Sequence, residues 1–439
     1  MKKKILFIQP TIYDDRGILV KKSRLYFVGL AFPLLAAMTP PDWEVEICLE
    51  SIEEIPWDTD ASVIGVGGMG HAANRGKDIA RRFKALGKTV LMGGPMVSLA
   101  PDLVQTFCDA VVMGDAEDVW SEVLHDLEND TLKLRYRKEL TKLSTPVPRY
   151  ELITSKRIGD FLPVQAGRGC PNSCSFCSIY CLYRTRYFRR PIPEVLRDIQ
   201  RVKDLGFRKF LLLDDNIVSD RDYMLELCHA IQPLRMQWLS QCEITVAKDS
   251  ELLAALAQSG CNMLSFGLES IQPASLACIN KKWCKPEEYR ELVDRVTDAG
   301  IEVASEMIVG IDTDTKESLR ATIAWVASTR IVAPKFYIMT PIPGTDLFNK
   351  MQSEGRILET DVFTFTASKA VISHPHLSTS ELDAIFWEIY DGLYTLPCIL
   401  RRTIFQKNFF RKPKQFLFLL GVNLFYRYQI KRRIAPIVL

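Results

Sequence analysis

Nowhere in the 439 residues does an uninterrupted apolar stretch approach the roughly 18 that a membrane-spanning helix requires, which excludes such a helix. The start, Met1-Lys2-Lys3-Lys4, is cationic, but the apolar run at 5–8 is too short for the core of a secretory leader. With no leader, twelve cysteines point to a reducing compartment and free or metal-bound thiols, and argue against a disulfide framework. The expectation is a cytoplasmic protein, with membrane association left open. Acidic residues are missing from 401–439, where ten cations stand, so with a formal charge of +3 the rest of the chain is net acidic. Gly65-Val66-Gly67-Gly68-Met69-Gly70 has the G-x-G-x-x-G spacing, but its first glycine falls inside the strand-like run rather than in the turn after it, so a nicotinamide or flavin protein is not the reading.

What is present is ordinary in bulk and informative in order. The length allows two to three domains, and 47% apolar and 25% charged residues suit a globular chain. Short β-rich runs at 5–9, 44–49, 62–66, 89–92 and 110–113 alternate with helical stretches at 28–38, 74–86 and 118–127. That alternation predicts a doubly wound parallel α/β sheet, whose ligand crevice lies beyond the carboxyl ends of the strands. Three of those ends carry glycine turns: Gly67-Gly68-Met69-Gly70-His71, Gly93-Gly94-Pro95 and Gly114-Asp115. Residues 136–160, with mixed charge and two prolines, read as an exposed linker after a first domain at 1–135.

The next stretch concentrates the chemistry. Residues 167–177 place Cys170, Cys174 and Cys177 in a C-x-x-x-C-x-x-C run behind a strand-like segment at 162–166. Structural zinc closes with four protein ligands, whereas three thiolates suggest a four-iron cubane with one iron open; a zinc knuckle or three incidental cysteines are the plainer alternatives. Strand-like runs at 209–213, 236–242, 263–268, 302–309 and 335–339 alternate with helical ones, predicting a partial parallel barrel of about six units over 161–350. Active-site groups gather at the carboxyl ends of such strands, which selects Asp214, Asp215, Asn216, Gln241, Glu243, Glu269, Ser270, Glu306 and Thr340. Cys181 and Cys284 read as packing thiols near the site, and Cys48, Cys108, Cys228, Cys261, Cys278 and Cys398 as small buried hydrophobes.

The cysteine spacing, with Phe176 directly before the third cysteine, resembles the signature of the radical S-adenosylmethionine (radical SAM) superfamily. The resemblance implies a 4Fe-4S cluster on Cys170, Cys174 and Cys177, with SAM chelating the open iron and cleaved to a 5′-deoxyadenosyl radical. Gly267-Leu268-Glu269-Ser270 matches a recurrent G-x-E-S element, residues 307–310 resemble the apolar segment beside adenine, and Pro341-Ile342-Pro343-Gly344-Thr345 matches a barrel-closing P-x-P-G-T turn. SAM contacts are thereby expected at Phe176, Asp214, Asp215, Gln241, Glu269, Ser270 and Ile308. The first domain is similar to the cobalamin-binding domain of one radical SAM branch, the branch of hopanoid methylase and magnesium-protoporphyrin oxidative cyclase. That similarity puts cobalamin contacts at Gly67, Gly68, Met69, Gly70, His71, Gly93, Gly94, Pro95, Gly114, Asp115 and Glu117. One departure is the missing D-x-H-x-x-G, so no histidine is expected to ligate cobalt from below.

The resemblance implies a methyltransferase acting on an unactivated carbon of a hydrophobic or natural-product substrate. Radical cyclisation or rearrangement without methyl transfer, and a non-catalytic cobalamin or iron–sulfur sensor, are the alternatives. An external electron donor and a small-molecule or lipid-like substrate are the expected partners. The C-terminal region, 351–439, is helical and interleaves its cations with aromatic residues. It reads as a helical lid on the barrel or as a membrane-surface contact, with nucleic acid a distant third.

Overall fold

The computed structural model describes residues 2–14, 16–68, 70–406, 408–410 and 412–436. Met69 of the first glycine turn and the tail cations Lys407 and Arg411 lie outside the described residues. The first sheet comprises β1 (Lys4–Gln9), β2 (Glu44–Leu49), β3 (Val63–Gly67), β4 (Thr89–Gly93), β5 (Ala110–Met113) and β6 (Arg135–Arg137). All pair in parallel, in the order β2-β1-β3-β4-β5-β6. The strands read as continuous apolar runs because both faces are covered. Ile5, Phe7, Val63 and Leu91 join one buried cluster, and Leu6, Ile8, Ile64 and Val90 join another. Strand order reverses between β1 and β3, which opens a crevice at their carboxyl ends.

Two features of the expected linker differ from expectation. Residues 135–137 form the edge strand β6, where Tyr136 is buried between two exposed arginines and donates its hydroxyl to Asp126 Oδ2 at 2.8 Å. Further on, Leu143, Tyr150 and Ile153 are buried, and the Tyr150 hydroxyl donates to the Pro163 carbonyl at 2.6 Å. These apolar residues are too widely spaced to show a period, yet Tyr150 and Ile153 belong to the cluster that runs from the first sheet into the second.

The second sheet begins at β7 (Phe161–Val164) and is followed by the antiparallel hairpin of β8 (Gly167–Gly169) and β9 (Tyr187–Arg189). It continues through β10 (Lys209–Leu212), β11 (Gln237–Cys242), β12 (Cys261–Glu269), β13 (Glu302–Val309) and β14 (Ile331–Ile338). These six strands pair in parallel and in chain order, β7-β10-β11-β12-β13-β14, and among the described residues no pairing joins β14 back to β7. The result is an open, partial (β/α)6 barrel.

An open barrel leaves the backbone of its last strand unpaired on one side. Here the C-terminal helices cover it. The helix Thr379–Leu393, begun by a Ser378–Glu381 capping box, carries Tyr390, whose hydroxyl accepts from Phe336 N at 2.9 Å and donates to Phe336 O at 3.0 Å. Tyr394 donates to Pro334 O at 2.7 Å, and Asn423 of the helix Pro413–Lys431 donates to Val332 O at 3.0 Å.

That last helix covers the barrel at the end opposite the cysteines, so it is no lid over the mouth. Phe416 and Leu419 pack on Ala304, Val332 and Ala333, with Met263 alongside, while Gln415 and Lys412 donate to the carbonyls of Asn262 and Gly300 at the amino ends of β12 and β13. Of the cysteines expected to be buried hydrophobes, Cys48, Cys108, Cys228 and Cys261 are buried, Cys398 is half-buried, and Cys278 is exposed at the end of the helix Pro273–Cys278.

Candidate active site where two sheets meet

The cysteine loop leaves β7, turns through the hairpin and is held from below by two strand-end carboxylates. Asp214 Oδ1 accepts from Ala166 N at 2.8 Å and Oδ2 from the Tyr187 hydroxyl at 3.3 Å; Asp215 Oδ2 accepts from Gly169 N at 2.7 Å. Burial pushes Asp214 up to about 7 and Asp215 up to about 6. Both carboxylates, expected to face SAM, thus have backbone partners in the loop, and Gln241 reaches the Asp214 carbonyl at 3.2 Å. Gly169 has φ +92°, and a Cβ there would lie 2.2 Å from the Arg186 carbonyl, so the hairpin closes only around glycine.

Cys174 is buried, and Cys170 and Cys177 are half-buried. Burial, against the pull of Lys281, pushes Cys174 up to about 12, and burial pushes Cys177 up to about 11. Burial outweighs the hydrogen bonds that Cys170 and Cys177 receive and the nearby charge of Lys281, so the thiols resist ionisation, and a bound metal centre would supply the missing positive charge. Among the described residues no three histidine, cysteine or carboxylate side chains converge tightly enough for a single ion. Three cysteines are one ligand short of a closed structural zinc site, so the donor set fits an iron–sulfur cluster held by thiolates better than a zinc knuckle. Asn216 Nδ2 lies 3.9 Å from Cys170 Sγ, and Asn280 ties Ser173 from the far side of the mouth with a 2.7 Å bond to its carbonyl.

Glu269 ends β12 in the left-handed region, φ 60°, where the pairing with β13 shifts register. The bulge turns its carboxylate inward. Burial pushes Glu269 up, against the pull of Lys281, whose Nζ donates to Glu269 Oε1 at 2.9 Å and to Gly267 O at 2.7 Å. Burial would discharge Lys281, but Glu269, Cys174 and Cys284 keep it cationic. A cation and an anion thus stand side by side next to the thiols. Lys281 was not selected from the sequence because it lies off the strand ends, and its only signal there is a lysine pair after a short helix. A small cavity at the ends of β12 and β13 has Glu269, Ser270 and Ile308 on its wall and continues under the helix Lys316–Ala327. Phe176 is half-buried against the core.

The first sheet presents its own carboxyl ends to this loop. Gly94 has φ +117°, and a Cβ there would lie 2.8 Å from the Gly68 carbonyl, so the first two glycine turns touch each other. Gly70 and Gly114 border open space. An apolar pocket among Pro10, Gly67, Gly68, Gly76, Met92 and Gly93 lies between the sheet and the helix Ala73–Ala85. His71 is half-exposed, but burial and the charge of Lys22 push it down to about 4, so it is neutral at physiological pH. Lys22 is itself pushed down to about 7 by burial. Open glycine edges, a small apolar pocket and an uncharged imidazole fit a large flat ligand.

Asp115 and Glu117, expected beside that ligand, have another partner. Arg168, between the two glycines of β8, donates Nη1 to Asp115 Oδ1, and Nη2 to Glu117 Oε1 at 2.8 Å and to Gln165 Oε1 at 2.7 Å. Tyr183 adds a 2.8 Å bond to Asp115 Oδ1. The helix Pro95–Leu99 after Gly94 packs on the helix Ser178–Tyr183 after Cys177, and Gly344 of the P-x-P-G-T turn abuts Leu99. The cysteine loop and the glycine turns therefore face one crevice.

Residues 164–326, the partial barrel with its cysteine loop, match the Radical SAM superfamily. Two curated relatives extend the likeness over the first domain. The chain is 27% identical over 395 residues to bacteriochlorophyllide d C-8(2)-methyltransferase of Chlorobaculum tepidum, covering 86% of this chain and 87% of that protein. It is 27% identical over 347 residues to hopanoid C-2 methylase of Rhodopseudomonas palustris, covering 75% of this chain and 65% of that one. The fold is that of the radical SAM methyltransferase TsrM from Kitasatospora setae, solved with cobalamin and a [4Fe-4S] cluster bound: TM-score 0.68 at 14% identity, over 90% of this chain and 89% of that one.

Proposed function

We propose that this chain is a cobalamin-dependent radical SAM methyltransferase acting on an unactivated carbon of a hydrophobic small molecule. The observation that carries the reading is the shared crevice, in which the cysteine loop and the glycine turns of the first sheet meet across the Arg168 contact. When bound, a 4Fe-4S cluster with SAM would supply a hydrogen-abstracting radical, and cobalamin a transferable methyl group.

The chain's own residues have defined tasks. Cys170, Cys174 and Cys177 hold the cluster, while Asp214 and Asp215 fix the backbone that carries them. Lys281 and Glu269 offer opposite charges to the zwitterionic amino-acid end of SAM, and Ser270, Gln241, Ile308 and Phe176 line its nucleoside end. Gly67, Gly68, Gly70, His71, Gly93, Gly94, Pro95 and Gly114 border the corrin. With D-x-H-x-x-G missing from the chain, His71 would line the corrin site rather than serve as the motif's cobalt ligand. Bringing both reagents to one carbon in the shared crevice would supply proximity, and excluding water from it on binding would suppress quenching. An external reductant is needed, and the likeness to bacteriochlorophyllide and hopanoid methylases favours a tetrapyrrole or a hopanoid-like lipid as substrate.

The test is anaerobic reconstitution with methyl-labelled SAM, cobalamin and a reductant. The reading expects four irons per chain, reductive formation of 5′-deoxyadenosine, and label in a tetrapyrrole or hopanoid product. Cysteine-to-alanine changes at 170, 174 or 177 should abolish iron loading. Iron content unchanged in those variants would overturn it.

A further inference from the structure

The last helix is built inside out. Its inward side carries Asn423, fully buried, which donates to Val332 O and Leu419 O and accepts from Arg402 Nε at 2.9 Å. Its outward side carries Leu417, Leu424, Phe425 and Tyr428, flanked by Phe418, whose ring also meets Tyr26 and Lys209, each of the five between 41% and 56% exposed. Their spacing of three, four and seven keeps them on one stripe of the helix. Lys414 stands at one end of the stripe, and Lys431 and Arg432 at the other, all exposed. Phe405 and Phe410, just ahead of the helix, are 74% and 88% exposed. Single exposed apolar residues are normal on a protein surface, whereas a continuous stripe of five large ones marks a contact.

We propose that this stripe lies on the surface of an anionic phospholipid bilayer. A helix of 19 residues is about 28 Å long and can lie flat in the headgroup layer, apolar face down. Among the described residues no helix is long and apolar enough to cross a membrane, so the contact is peripheral. Cations at both ends of the stripe sit where lipid phosphates would be, and 401–439 contains no carboxylate to repel them. The same charges disfavour a second copy as the occupant, because a two-fold contact would set cation against cation with no acid in the segment to pair with them. The inference deepens the reading of a lipid-soluble substrate. It needs no turnover, so a failure of methylation would leave it standing.

The test is flotation of the full-length protein with vesicles of phosphatidylcholine alone or with one quarter phosphatidylglycerol. The unaltered protein should float with the anionic vesicles and far less with the neutral ones, with binding weakened by salt. The double change Leu417→Glu and Phe425→Glu should lower partitioning at least about tenfold. Charge reversal at Lys414, Lys431 and Arg432 should do the same, with thermal unfolding unchanged in both variants because these side chains are exposed. Equal flotation of all forms would overturn the proposal. So would absence of flotation, whether the protein is a monomer or a dimer that Leu417→Glu and Phe425→Glu dissociate.

Discussion

At the scale of single residues, Glu302 stands out as a carboxylate sealed under the last helix. It is fully buried, neither of its oxygens has a partner, and burial pushes it up to about 7 against the pull of Lys412 and Arg330. Unfolded, the same group titrates at about 4.5. Between those values the folded state holds the extra proton, so this group makes stability fall as pH rises from about 4.5 to about 7 and stay lower above. Glu302→Gln should match the wild type near pH 4 and exceed it at pH 8 by at most about 3 kcal/mol, read from denaturant melts at the two pH values. The buried Lys281–Glu269 pair predicts the opposite sign. Lys281→Met leaves Glu269 without a counter-charge and should cost about 3–5 kcal/mol, most of it recovered when Glu269→Gln is added; additive effects in that double-mutant cycle would refute the pairing.

At the scale of elements, the Arg168 contact joins a hairpin of the barrel to a turn of the first sheet. Removing its charge with Arg168→Met should destabilise the chain by about 3 kcal/mol or more, since Asp115 and Glu117 would remain half-desolvated with nothing opposite them. Faster amide exchange in both β8 and the turn after β5 is the expected signature, and a change confined to β8 would count against coupling. Arg168→Lys keeps the charge but loses the fork, so it should restore only part of the loss. The glycine turns were legible beforehand because parallel strands end where the backbone must turn sharply or come close to another loop, as Gly94 does to Gly68. The strand β6 and the hairpin β8–β9 were not. Three residues each, they carry no period, and only their partners make them strands.

At the scale of the whole molecule, two parallel α/β units followed from alternating apolar runs, and the cysteine loop from spacing alone. What stayed hidden was how the halves meet. Arg168 and Lys281 owe their positions to contacts 53 and 12 residues distant in sequence, which no local pattern reports. The placement of the last helix was hidden for the same reason, because buried Asn423 and Gln429 on its inward side and large apolar residues on both sides defeat an amphipathic reading. Ending the chain at 404 should uncover Ala304, Val332 and Ala333 and yield aggregated protein, whereas a soluble, monomeric product would show that the barrel closes without that helix. The Arg168 contact also bears on ancestry and engineering. A foreign first domain grafted onto this barrel must bring two acids at the end of its fifth strand, or the chimera inherits a stranded guanidinium at its seam; domain exchange is thereby restricted to donors that share this acid pair.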